Sequence, residues 1–121
     1  MGSYVRWQKN PDVGVAADRG IVRTLIRSIL DAGHSITVDY GADDWGDLEV
    51  VESRDFREIF NGLCATGSDV LRVIDDAGED LGGVWLVYGN EPGVIIADYH
   101  VNLEPLVQGA NKLADKVMAR F

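Results

Sequence analysis

Between residues 68 and 101 the chain reads "DVLRVID", "GGVWLVYG" and "GVIIADYHV", three runs rich in β-branched and aromatic residues with only "DAGED" and "NEPG" separating them. Such runs suit a pleated, half-buried surface, and Asp, Gly, Asn and Pro supply the turn conformations that reverse a chain. Three antiparallel strands in a meander are expected. That commits the chain to a sheet whose apolar face must find a cover.

The cover is written on either side of the meander. From Asp18 onward, Ile21, Val22, Leu25, Ile26, Ile29 and Leu30 recur at helical spacing, while Arg19, Arg23 and Arg27 fall four apart on another face. Asp18 is placed to cap this helix and Gly33 to end it, giving a span of about 18 to 32. "SITVDY" then alternates as a half-buried strand does, "GADDWGD" reads as a loop, and "LEVVE" completes a hairpin. Ser53 offers a cap to a second helix with Phe56, Ile59, Phe60 and Leu63 on one stripe. A last helix opens at Asn102 with Pro105 in its first turn, and its stripe Leu106, Leu113 and Val117 is expected to be buried. "YVRWQK" followed by "NPDVG" leaves residues 1–17 as an irregular or edge-strand segment. The class is α+β: an antiparallel sheet of about five strands covered by helices, in the order α-β-β-α-β-β-β-α.

Length fits one domain over residues 1–121, since 121 residues with 46% hydrophobic content can bury a real core and are too few for two. The net charge of -9, from 20 acids against 11 bases, opposes direct binding to nucleic acid or to anionic lipid. Cys64 stands alone, so no internal disulfide can form, and a single thiol suits the reducing cytoplasm. No apolar run approaches the ~20 residues of a membrane span, and no motif asks for a cofactor or a metal.

The acids are concentrated. No Lys or Arg lies between Ser28 and Ser53, where seven acids do, and the same holds between Val73 and Asn111. If the two hairpin tips project from one end of the sheet, Asp43, Asp44, Asp47, Asp75, Asp76, Glu79 and Asp80 form a joint negative patch, with Trp45 as an aromatic anchor inside it. A solvated surface serving solubility, with Trp45 tucked onto the core edge, is the plainer alternative. Turns and calcium loops draw on the same residues, but neither "IDDAGEDLGG" nor "GADDWGD" has the alternating ligands and terminal Glu of an EF-hand loop. These acids read as turns before they read as ligands.

Enzyme-like chemistry occurs at one place. Alternation puts Asp98 and His100 of "DYH" on one strand face about 7 Å apart, where they could share a proton, with Asp39 or Tyr40 as a further member. No nucleophile accompanies them: Cys64 follows an apolar helix end, and His34, after a helix C-terminus, suits a dipole partner.

Over residues 82–106 the run "GGVWLVYGNEPGVIIADYHVNLEPL", a strand, a Gly-Asn turn, a strand ending in "DY" and a helix opening in "NLEPL", resembles small uncharacterised proteins of bacteriophages and mobile elements. The resemblance implies no reaction; its context implies a cytosolic accessory or anti-defence role. Together these features lead to the expectation of a non-enzymatic protein-binding domain without cofactor, using acidic tips to inhibit a basic, nucleic-acid-binding host protein. A small enzyme built on Asp98 and His100, or a subunit that self-associates through an apolar face, are the alternatives.

Overall fold

The computed structural model describes residues 13–39, 48–63, 68–88 and 91–120. Their order is α1 (Val13–Asp31), β1 (Ser35–Asp39), β2 (Leu48–Ser53), α2 (Phe56–Asn61), β3 (Ser68–Ile74), β4 (Asp80–Val87), β5 (Ile96–Tyr99), a 3-10 turn (Val101–Leu103) and α3 (Glu104–Arg120). The expected α+β order is the observed one. The strands form one sheet in the order β2-β1-β3-β4-β5, with every neighbouring pair antiparallel.

Alternation divides the sheet into two faces. Ile36 and Val38 of β1 sit opposite Val73 and Leu71 of β3, and Leu71 sits opposite Val84 of β4; all are buried in one core with α1, α2 and α3. On α1 the predicted stripe is buried almost to the atom, from Ile21 to Ile29. The other face carries Thr37, Asp39, Val70, Arg72, Trp85 and Asp98 in register.

Several boundaries differ from expectation for identifiable reasons. Helix α1 begins at Val13, so Asp18 lies inside it and is not its cap. The Asp18 carboxylate instead accepts the N–H of Gly93 at 2.9 Å, a partner 75 residues away that local pattern cannot show. At the other end α1 closes as expected: Gly33 is left-handed (φ 89°), its N–H bonding Leu30 O and that of His34 bonding Ile29 O. Asp55, not Ser53, caps α2 by accepting from Arg57 and Glu58, while the Ser53 hydroxyl accepts the N–H of Asp55. On α3 the buried stripe is Val107, Ala110, Ala114 and Val117, spaced three and four apart; Leu106 and Leu113 each precede a stripe residue by one position and are half-buried at its margin. The loop holding Asp43, Asp44, Trp45 and Asp47 lies outside the described residues, as do Tyr40, Cys64 and the segment before Val13.

Candidate functional site

The acidic β3–β4 connection is built as a turn. The Asp75 carboxylate accepts the N–H groups of Ala77 and Glu79, both at 2.9 Å, while Gly78 N–H bonds the Asp75 carbonyl and Gly78 takes the left-handed position at φ 83°. Asp80 accepts from Gly82 N–H through one oxygen and pairs with Arg72 at 3.2 Å through the other. Asp76 reaches Arg54 at 2.7 Å, with both side chains mostly exposed. Of the four turn acids, only Glu79 has its carboxylate given to solvent among the described contacts. The turn is thereby stiff, and three of its acids have structural partners.

Strand order decides whether the two tips can meet. β1 runs antiparallel to β3 with Ser35 opposite Ile74 and Asp39 opposite Val70. The chain therefore leaves β1 for the loop 40–47 at the end of the sheet where β3 begins, and the turn after Ile74 stands at the other end. β1 ends and β2 begins at the end of the sheet opposite the β3–β4 turn; Asp43, Asp44, Trp45 and Asp47 themselves lie outside the described residues. At the same end of the sheet as the β3–β4 turn lie Asp31, at the end of α1 next to the start of β1, and Glu104, at the start of α3, whose preceding Asn102 amide donates to Leu81 O at 2.6 Å, together with Arg54, the partner of Asp76. Asp31, Asp76, Glu79 and Glu104 are all exposed.

On the face turned away from α1, α2 and α3, Asp98 lies opposite Trp85 in register, and the His100 ring lies 5.4 Å from the Trp85 ring. The two residues thus share a face as expected, but each is already engaged with backbone. His100 Nδ1 accepts the Gly83 N–H at 2.8 Å, its own N–H bonds Gly83 O, and its ring packs where a Cβ on Gly82 would stand 2.8 Å away. Asp98 Oδ1 accepts from Tyr99 N–H. Asp39 cannot join them: it stands across Val70 and Trp85 from Asp98, three interstrand spacings or about 14 Å. Its carboxylate is held by Arg72 Nε at 3.1 Å. This His-Trp-Gly arrangement locks the entry into α3 onto β4.

Two features escaped the sequence. Asp69 is fully buried in β3, opposite Leu86, and accepts the Tyr88 hydroxyl at 2.6 Å. An acid at the start of an otherwise apolar strand, with a Tyr one position beyond the partner strand, was the available signal. The second is a cleft of about 410 Å³ lined by Arg23, Phe56, Arg57, Phe60 and Asn61. A second cleft, of about 380 Å³, is lined by Glu91, Pro92, Val94 and Met118. Neither cleft is lined by Asp98 or His100. Among the described residues no group of three His, Cys, Asp or Glu side chains could hold a metal ion, and no helix is long and apolar enough to cross a membrane.

Comparison of the chain with protein-family models, with curated proteins and with solved structures finds no match in any of the three.

Proposed function

We propose that the chain is a non-enzymatic protein-binding domain that presents the acidic end of its sheet to a basic partner. The observation that supports this reading is that Asp31, Asp76, Glu79 and Glu104, all exposed, belong to three separate connections at one end of the sheet, the end stiffened by the Asp75 turn. A stiff, exposed carboxylate surface loses little freedom on docking and steers a basic partner by its summed field. Such a surface can occupy the Arg and Lys sites with which a host protein holds nucleic acid, the action of a phage or mobile-element accessory protein in the cytoplasm.

The test is affinity capture on the immobilised chain at low and high salt, comparing the parent with D31N/D76N/E79Q/E104Q. Asp75 and Asp80 are spared because they hold the turn. Basic nucleic-acid-binding proteins should be retained by the parent at low salt and released by the variant and by salt. A retained set that does not respond to either change would reduce the acidic end to a solubility surface.

The sheet face turned away from the described helices favours no reaction among its described residues, since His100 Nδ1 and Asp98 Oδ1 are each bonded to backbone N–H. Turnover that disappears in H100A with the fold intact would revive the enzymatic alternative.

A further inference from the structure

The arginines of α1 repeat every four residues, and so do the phenylalanines of α2; the two ladders meet. Arg23 lies over the Phe60 ring at 5.8 Å and Arg27 over the Phe56 ring at 4.4 Å, so the helices run antiparallel where they touch. Phe56 and Phe60 stack on each other at 5.6 Å, and Arg57 and Asn61 complete the cleft. A guanidinium lying on an aromatic face is held in place while its N–H donors stay at its rim.

The charge balance makes this cleft unusual. Arg54 and Arg72 are each paired with carboxylates, yet Arg23, Arg27 and Arg57 have no carboxylate within 4.0 Å among the described residues, in a chain with 20 acids and 11 bases. All three are exposed. Arg23 and Arg57 line, with Phe56, Phe60 and Asn61, a space of ligand-binding size in which the Phe56 ring is half-buried and the Phe60 ring buried, while Arg27 lies over Phe56 outside it.

We propose that this cleft docks an acidic peptide segment of a partner protein, its carboxylates on the Arg23 and Arg57 forks and an apolar side chain between them against Phe56. Guanidinium and carboxylate match in a two-pronged geometry, and the half-buried Phe56 ring gives the segment apolar surface to cover. A nucleic-acid strand fits less well, because the net charge of -9 acts on every phosphate of a long polyanion, whereas a short segment with a few carboxylates feels mainly the local guanidiniums. The site is opposite in sign to the acidic end and shares only α1 with it, Arg23 lying two turns before Asp31, and the two readings are tested by different variants.

The probe is a dye-labelled peptide, Gly-Asp-Phe-Glu-Phe-Asp-Gly, titrated with the full chain and followed by fluorescence anisotropy. Saturable binding is expected, weakened about tenfold in R23Q/R57Q and by a similar factor when salt is raised from low to high. Gln keeps helix propensity at these exposed positions, and a circular dichroism melt checks that the fold is retained. F56A should weaken binding with no change of charge, and D76N/E79Q should leave it as in the parent. The proposal is overturned if the Asn/Gln version of the peptide binds equally well, if R23Q/R57Q binds like the parent, or if no binding is detected. Tighter binding of a labelled oligothymidine than of the peptide would also overturn it, in favour of a phosphate-bearing ligand.

Discussion

Replacing Gly93 by Ala tests how the segment before β5 is pinned to the helices. Gly93 has φ 90°, a left-handed conformation that costs an L-residue roughly 1–2 kcal/mol. A Cβ there would stand 2.6 Å from Met118 Cγ and 2.9 Å from the carbonyl oxygen of Ala114, both on α3. Forcing such an atom into a packed site costs a further ~1–3 kcal/mol. The bond from Gly93 N–H to Asp18 holds the same residue against α1, so the segment cannot swing outward without losing it. G93A should therefore destabilise the fold by about 2–5 kcal/mol. Urea unfolding followed by tryptophan fluorescence would show this as a midpoint lowered by roughly 1–2 M at unchanged slope. In G93A/M118A the side-chain clash is gone but the Ala114 carbonyl and the left-handed strain stay, so about half of the loss should persist. Gly20 is the control: it is helical with nothing within 4 Å of a Cβ, and G20A should stabilise by about 0.5–1 kcal/mol. A G93A midpoint within experimental error of the parent would refute the reasoning, because both the strain and the crowding would have to be absent.

Leu25→Ala, which empties a fully buried site on α1, should cost about 2–5 kcal/mol, whereas Leu113→Ala at the half-buried margin of α3 should cost less than half as much, read from the same urea curves. H100A removes the acceptor of the Gly83 N–H and the ring against Trp85; a loss of about 0.5–1.5 kcal/mol together with a shift in tryptophan emission is expected, and an unchanged spectrum would contradict the ring contact. Arg72→Met breaks the pairs with Asp39 and Asp80, and because these are partly exposed the effect should stay below about 1 kcal/mol and shrink further in high salt, as thermal melts at two ionic strengths would show.

Much of the architecture was legible because each element carries its own period. The α1 stripe, the three meander strands and the Gly33 stop are local signals that tertiary packing left intact. Asp18 and Ser53 were misleading for the opposite reason: both are cap-type residues, but Asp18 serves Gly93 and Ser53 serves Asp55. The parallel course of β2 and β3 was half visible, since the helix between them suits a crossover connection; with it, β1 and β3 finish at opposite ends of the sheet. The Arg–Phe cleft was half visible, as the four-residue spacing of Arg19, Arg23 and Arg27; that it would meet an equally spaced phenylalanine ladder depends on how α1 and α2 cross.

The two margins of the sheet have a bearing on how anything can attach to it. β5 is four residues long, and β2 carries an extra residue near Glu52, whose left-handed φ of 43° and N–H bond to the Thr37 hydroxyl interrupt the regular ladder. A short margin on one side and a kinked one on the other offer poor templates for a strand arriving from another molecule. Runaway stacking of copies through main-chain pairing is thereby discouraged, even though the meander is rich in residues that favour it. In the binding role proposed above, recognition falls to side chains on helices and turns, where a single substitution can change the partner without disturbing the sheet.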